Sequence, residues 1–284
     1  MLYSALIREL ASLLDEAGID NPQREAHLIV KTVDSSDEAA FFLKKETDCP
    51  KKIEDKARVF AARRAEGEPF SRIVGTREFY GRDFHLSAAT LDPRPDSEIL
   101  IDAVLKKFGR DQAFRFIDLG TGSGCLAITL LAERPHARGI AVDLSHEALE
   151  MARKNAAANS VSERLETLQG SWWENVPHGE VFDLVISNPP YIPSAVIPTL
   201  AREVQNHDPI LALDGGDTGL QSYQEILSQL NLYLSQAGHA FFEVGQGQAE
   251  DVARLAEDIG ATLEGISRDY GGISRVVHIS RGDK

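Results

Sequence analysis

After residue 110 the chain alternates between strand-length apolar runs and longer stretches whose apolar residues recur at helical spacing, and this rhythm constrains the fold more than any other feature. FRFIDL, RGIAVD, RLETLQ, VFDLVIS and HAFFEV read as strands. GSGCLAITLLAE reads as a loop running into a helix and HEALEMARKNAAAN as a helix, with further helices expected near 197–205, 220–236 and 247–258. Such alternation implies a mostly parallel sheet covered by helices on both faces, with the ligand at the carboxyl ends of the strands. The last two strands, near 262–268 and 273–280, are joined by RDYGG in the manner of a hairpin, so the final strand is expected to be antiparallel.

The first 65 or so residues lack this rhythm. Leu2, Leu6, Leu10 and Leu13, then Ala26, Ile29, Val30 and Val33, recur at helical intervals, with Gly18 as a stop and Asn21-Pro22 as cap and first helical position. A small helical bundle is expected, and nothing in it carries chemistry. Between Gly67 and Glu98 the pieces EFY and DFHL flank Gly81 as a hairpin, and Pro93 and Pro95 then stiffen LDPRPDSE. Asp96 or Ser97 stands where a helix beginning near Glu98 needs a cap, and Arg94 and Asp96 fit either a salt-bridged turn or a place facing the site. The expected division is a helical domain over 1–75, a hairpin and linker over 76–95 and a catalytic domain over 96–284.

Composition narrows the function classes. A net charge of −14 argues against reliance on wrapping duplex DNA, which needs clustered Lys and Arg. Cys49 and Cys125 are too few for a disulfide framework or a thiolate metal cage and fit a reducing compartment. Arg8, Glu9, Asp15 and Glu16 interrupt the N-terminal apolar pattern, and CLAITLLA is far short of a membrane span, so a soluble, cytoplasmic protein is expected.

DLGTGSG, residues 118–124, lies between a predicted strand and a predicted helix, where backbone approaches a bound nucleotide. Its spacing is G-x-G-x-G, not that of a pyrophosphate site, and Asp118 stands at the strand end. A carboxylate there repels a pyrophosphate but suits a ligand with an ammonium and a sulfonium, such as S-adenosylmethionine. Gly120, Thr121, Gly122, Ser123 and Gly124 are the candidate cofactor loop. Asp143 ends the next strand, 23 residues after Gly120, where a carboxylate accepts hydrogen bonds from both ribose hydroxyls. Trp172, just past the third strand, is a candidate cover for the adenine face.

The fourth strand delivers VISNPPYIP, residues 185–193, to the same end of the sheet. Pro189 and Pro190 fix φ and remove two donors, so nearby carbonyls face a ligand without competing N–H groups. An amide or exocyclic amine nitrogen is planar and a poor nucleophile because its lone pair is delocalised. The Asn188 side-chain oxygen and the Pro189 carbonyl are matched to its two hydrogens, which would steer the lone pair at a methyl group and stabilise the positive charge that develops. Tyr191 would pack against the planar acceptor. Asn188, Pro189 and Tyr191 are therefore the candidate catalytic residues, and Asn188 to Tyr191, including Pro190, the candidate substrate site; Asn188 also borders the cofactor.

DLGTGSG, AVD, NPPY and the upstream PRPDSE, in this order and at these intervals, resemble the HemK-type (PrmC) protein-(glutamine-N5) methyltransferases. The similarity runs from the helical N-terminus through GEPFSRIVGTREFYG to the RDYGG hairpin. It implies a Rossmann-like class I methyltransferase sheet and transfer of methyl from S-adenosylmethionine to the glutamine of the Gly-Gly-Gln motif in peptide chain release factors. It also implies cofactor binding by Gly120 to Gly124, Asp143 and Trp172, glutamine binding by Asn188 to Tyr191, and docking of the release factor on the helical domain, with no direct nucleic acid or membrane partner. Ser97 stands where the family commonly has threonine, Trp173 follows Trp172, and Asp208-Pro209 replaces a Glu-Pro pair. The alternatives are a ribosomal-protein glutamine methyltransferase, a nucleic-acid adenine methyltransferase, which predicts a basic recognition segment not evident here, and a cofactor-binding module without catalysis.

Overall fold

The computed structural model describes residues 1–282, and their contacts divide into two units. The first comprises Met1–Gly75 together with Arg202–His207, and the second Thr76–Ala201 with Asp208–Lys284.

The first unit is helical: α1 (Tyr3–Glu16), α2 (Pro22–Asp34), α3 (Glu38–Lys44), α4 (Lys51–Ala65) and α5 (Phe70–Val74). Leu6, Leu10 and Leu14 of α1 interlock with Ala26, Ile29 and Val30 of α2, Phe41 of α3 and Ala57 and Ala61 of α4. The alanines let α4 approach closely, while the long side chains of α1 fill the space between. Pro22 is the first residue of α2, and Asn21 before it takes a left-handed φ of 52° and makes no side-chain cap. Its backbone conformation, not its amide, turns the chain into the helix. A short helix from much later in the chain, α9 (Arg202–His207), belongs to this unit. Buried Arg64 is held by Glu25 at 2.9 Å and by Glu203 of α9 at 2.7 Å.

The second unit opens with a hairpin, β1 (Thr76–Phe79) and β2 (Arg82–His85), turned by Tyr80 and Gly81 at φ 53° and 72°. Two left-handed residues are what a two-residue hairpin turn of type I′ requires. The main sheet contains β3 (Arg115–Leu119), β4 (Arg138–Asp143), β5 (Leu165–Gln169), β6 (Phe182–Ser187), β7 (Leu234–Glu243), β8 (Thr262–Arg268) and β9 (Ser274–Ser280), in the order β5-β4-β3-β6-β7-β9-β8. All pairings from β5 to β7 are parallel, and β9 is antiparallel to both its neighbours. Central strands buried on both faces explain the nearly unbroken apolar runs in β3 and β6.

Helices α6 (Glu98–Lys107), α7 (Cys125–Glu133), α8 (His146–Ala158), α10 (Gln221–Tyr233) and α11 (Ala249–Asp258) cover the sheet. One face packs Leu100, Ile101 and Leu130 against Phe116, Leu184 and Phe241. The other packs Ile226, Leu230 and Val252 against Ile117, Val185 and Phe242. β7 starts at Leu234, earlier than the apolar run HAFFEV suggests, because the polar residues Ser235 and Gln236 pass through an irregular pairing with β6 before the buried part begins. The strand order reverses between β3 and β6, so the connections leaving their carboxyl ends run in opposite directions and leave a crevice. No helix among the described residues is long and apolar enough to cross a membrane.

Candidate active site

A cavity of about 880 Å³ opens at that crevice. Its wall is built from the carboxyl ends of four strands: Gly120 to Ser123 after β3, Asp143 to Ser145 after β4, Gly170 to Trp172 after β5, and Asn188 and Pro190 after β6. Ala89, Leu91 and Pro93 from the segment before α6, Pro209 to Ala212, Asp214 to Asp217 and the start of α10 add to it.

The glycine loop is held from beneath by backbone. Gly120 N and Thr121 N both donate to Val142 O at 2.9 Å, and Gly120, Gly122 and Gly124 take φ of 76°, 56° and 80°. A side chain at Gly124 would also strike Ile128 Cδ1 at 2.8 Å and Ala152 Cβ at 3.1 Å, so glycine there lets α7 and α8 pack together. Asn155, fully buried on α8, donates to Ser123 O at 2.8 Å and exchanges two hydrogen bonds with the His85 backbone, tying the hairpin to the loop.

Asp143 lines the cavity, and its carboxylate accepts from Gly122 N at 2.8 Å and Ser145 N at 2.9 Å. Burial pushes its pKa up, against the lowering effect of those two N–H groups. Each oxygen retains a lone pair, so the same carboxylate can shape the loop and accept a hydroxyl. Ser145, not Asp143, caps α8, accepting from Ala148 N at 3.2 Å.

Asp118 departs from the expectation that it faces the ligand. It is fully buried behind the loop and absent from the cavity wall, its Oδ2 accepting from the Thr121 hydroxyl at 2.6 Å. Its Oδ1 has no hydrogen-bond partner among the described residues, and burial pushes its pKa to about 7, with Asp143 adding to the rise.

The two indoles separate cleanly. Trp172 lines the cavity with its ring edge over Gly120, takes a φ of 48° and donates Nε1 to Glu225 at 2.7 Å. That φ is uncommon for a bulky residue and turns the ring back over the loop. Trp173 is a core residue, stacked on Tyr233 with centroids 4.6 Å apart and donating to Ile226 O.

After β6, Asn188 stands on the wall with its Nδ2 donating to Ser97 Oγ at 3.2 Å. Pro189 is buried, and neither it nor Tyr191 lines the cavity. The Tyr191 ring turns toward Gly245, where a Cβ would lie 3.0 Å from its Cδ2, and burial followed by the charge of Glu243 pushes its pKa to about 12.

The asparagine loop rests on a shelf that motif reading did not single out. Ile192 pairs with Asp214 in an isolated parallel bridge, and Gln248 Nε2 donates to Tyr191 O at 2.9 Å. At Gly215 a Cβ would meet Pro190 O and Gly219 Cα, both at 2.8 Å, and Tyr191 Cα at 2.9 Å. The glycines of LDGGDTGL and the glutamine of EVGQGQ are the sequence signals for this support.

PRPDSE is accounted for by contacts. Arg94 lines the cavity and pairs with Asp208 at 2.8 Å, and Asp96 pairs with Arg275 at 2.7 Å. Glu98 accepts from Tyr80 N at 2.9 Å, and Ser97 makes no side-chain cap, its oxygen accepting instead from Asn188 Nδ2. No cluster of His, Cys, Asp and Glu suited to a metal occurs among the described residues.

The reversed strand order, the glycine loop, the acid ending β4 and the indole over the loop fit a cofactor with an adenosyl group, and the fold and site define an S-adenosylmethionine-dependent methyltransferase. The same sheet recurs in the hMettl16 catalytic domain, with a TM-score of 0.58 at 17% identity over 79% of this chain and 82% of that one. A methyltransferase from Pyrococcus furiosus superposes with a TM-score of 0.52 at 18% identity, covering 72% and 91%. The family profiles "PrmC N-terminal domain" and "Methyltransferase small domain" match residues 5–75 and 86–206. The release factor glutamine methyltransferase of Agrobacterium fabrum is 41% identical over 94% of this chain and 93% of its own. That of Rhodospirillum rubrum is 41% identical over 99% and 86%. The chain belongs to the release factor glutamine methyltransferase family.

Proposed function

We propose that this protein methylates the side-chain amide nitrogen, N5, of the glutamine in the Gly-Gly-Gln motif of peptide chain release factors, in the cytoplasm and without a nucleic acid or membrane partner. The observation that carries this reading is the position of Asn188. It shares one cavity wall with Gly120, Asp143 and Trp172, and with Nδ2 engaged by Ser97 its Oδ1 is the atom available to accept.

In this reading the backbone of Gly120 to Gly124 cradles the cofactor, the remaining lone pairs of Asp143 accept from its ribose hydroxyls, and Trp172 covers its adenine. Asp118 acts from behind, holding the loop through Thr121. When bound, S-adenosylmethionine supplies a methyl group activated by its sulfonium, and the product is S-adenosylhomocysteine. The chain supplies orientation and charge: Asn188 Oδ1 accepts an N–H hydrogen of the substrate amide and stabilises the positive charge that grows on nitrogen as the N–C bond forms and the S–C bond breaks, a role the buried Pro189 does not share because it stands off the cavity wall. The proton leaves afterwards, from a cationic nitrogen too acidic to need a strong base. Pro189, Pro190 and Tyr191 stiffen the loop that presents this acceptor.

The test is methyl transfer from labelled S-adenosylmethionine to purified release factor, beside a variant whose Gly-Gly-Gln glutamine is replaced. Label on the parent and none on the variant supports both reaction and acceptor. Label found only on a ribosomal protein or an oligonucleotide overturns the choice of substrate.

A further inference from the structure

The mechanism leaves one buried acid unused. Glu243 ends β7, only 3% exposed. In the parallel pairing of β6 with β7, Ser187 lies opposite Phe242, so the next residues outward, Asn188 and Glu243, are neighbours across the sheet end. The side chains of Ser97 and Asn188 are placed to hydrogen-bond the Glu243 carboxylate. Its Oε2 has no hydrogen-bond partner among the described residues. A buried carboxylate left partly unsatisfied is costly, and its position calls for a reason.

The reason lies in the symmetry of an amide. Asn188 reaches Ser97 through Nδ2, but a serine hydroxyl both donates and accepts and would pair equally well with Oδ1. Ser97 alone therefore leaves the Asn188 amide free to turn over. An ionised carboxylate only accepts. With Glu243 at the end of the chain, a Ser97 hydroxyl that donates to the carboxylate leaves the Ser97 oxygen to accept from Nδ2 at 3.2 Å, and Oδ1 is then the amide atom left for the cavity.

We propose that Glu243 is the positioning residue that fixes the amide orientation of Asn188, directly and through the Ser97 hydroxyl. The inference rests on the reading that Asn188 Oδ1 accepts from the substrate amide. The surrounding charges suit a carboxylate held in place but not neutralised by contact. Arg275 attracts it, yet its guanidinium is taken by Asp96 at 2.7 Å and Asp269 at 2.8 Å. Asp96 opposes ionisation, the Tyr223 hydroxyl donates to the main-chain carbonyl of Glu243 at 2.7 Å, and the charge of Glu243 raises the pKa of Tyr191, Tyr223 and the Cys125 thiol. Burial pushes the Glu243 pKa to about 7. Below that pH the protonated acid becomes a donor, the relay loses its direction, and turnover falls.

The experiment measures kcat, the KM for release factor and the cofactor Kd for the parent, Glu243→Gln, Asn188→Ala and the double variant, with kcat followed from pH 6 to 9. Glutamine keeps the shape but restores a donor at the end of the relay. A kcat lowered tenfold to a hundredfold, a cofactor Kd within twofold, loss of the parent's acid limb near pH 7, and no further loss when Glu243→Gln is added to Asn188→Ala are expected. Ser97→Ala should lower kcat as well and Ser97→Thr restore it, which keeps the idea testable should Glu243→Gln fold poorly. A kcat for Glu243→Gln within twofold of the parent, or losses that multiply in the double variant, would overturn the proposal. Failure of the parent to methylate the release-factor glutamine would instead sink the reading of the function on which it rests.

Discussion

Gly215→Ala probes the asparagine loop without replacing any of its residues. A Cβ added at Gly215 would sit 2.8 Å from Pro190 O on one side and 2.8 Å from Gly219 Cα on the other, both main-chain atoms that cannot swing away. Restoring an ordinary contact of roughly 3.5 Å requires the loop to retreat by about 0.7 Å. A misplacement of about 1 Å at a reacting centre costs on the order of a hundredfold, so this retreat should cost about 25-fold in kcat, or ~1.9 kcal/mol of transition-state stabilisation. Overpacking should also lower folding stability by about 1–3 kcal/mol. The cofactor loop lies on other strands, and its affinity should stay within twofold. Methyl transfer at saturating cofactor, calorimetric Kd and a denaturation curve give all three quantities. A destabilised variant with unchanged kcat would refute the idea that turnover depends on where this shelf holds the loop.

Asn188→Ala should lower kcat by about a hundredfold to a thousandfold, the range for loss of one transition-state hydrogen bond, with cofactor Kd nearly unchanged; equal loss of cofactor affinity in calorimetry would misassign the residue. Asp143→Ala should do the reverse, weakening cofactor binding by roughly ten- to a hundredfold, as loss of charge-assisted hydrogen bonds implies, and an unchanged Kd would remove it from the cofactor site. Asp118→Asn should raise the melting temperature at pH 8. The folded pKa of Asp118, about 7, lies above its ordinary 3.8, so its share of stability is full below 3.8 and is lost as pH rises through about 7. The gain from Asn should shrink on acidification and vanish below about pH 4, whereas a gain independent of pH in melting curves would contradict a buried ionisation at this residue.

Much of the fold was legible because hydrophobic periodicity records burial directly. The strands 115–119, 138–143 and 182–187 and the closing hairpin fall where apolar runs and turn residues predict them. Asp143, Asn188 and Trp172 could be singled out because each follows a strand whose carboxyl end must meet the others. Asp118 was harder, since an acid at a strand end looks the same in sequence whether it points into the crevice or folds back beneath the loop, and only the Thr121 hydroxyl decides. Glu243, Gly215 and Gln248 escaped for a different reason. Their partners lie 24 to 146 residues away, Gly215 beside Tyr191 and Glu243 beside Ser97, and such pairings are created by strand order, which local pattern does not encode.

The return of α9 to the helical unit limits how this architecture can be inherited. That unit consists of two separate pieces of chain, and the shorter is an insertion between the asparagine loop and α10. A recombination that exchanged residues 1–75 for a foreign module would bring no guanidinium matched to Glu203, and Arg202–His207 would be left without the unit it was shaped for. Gene shuffling at the obvious boundary therefore yields a mismatched hybrid. The helical unit and the loop that supplies α9 must change together, and compensating substitutions across relatives are expected to link Arg64 and Glu25 with residue 203.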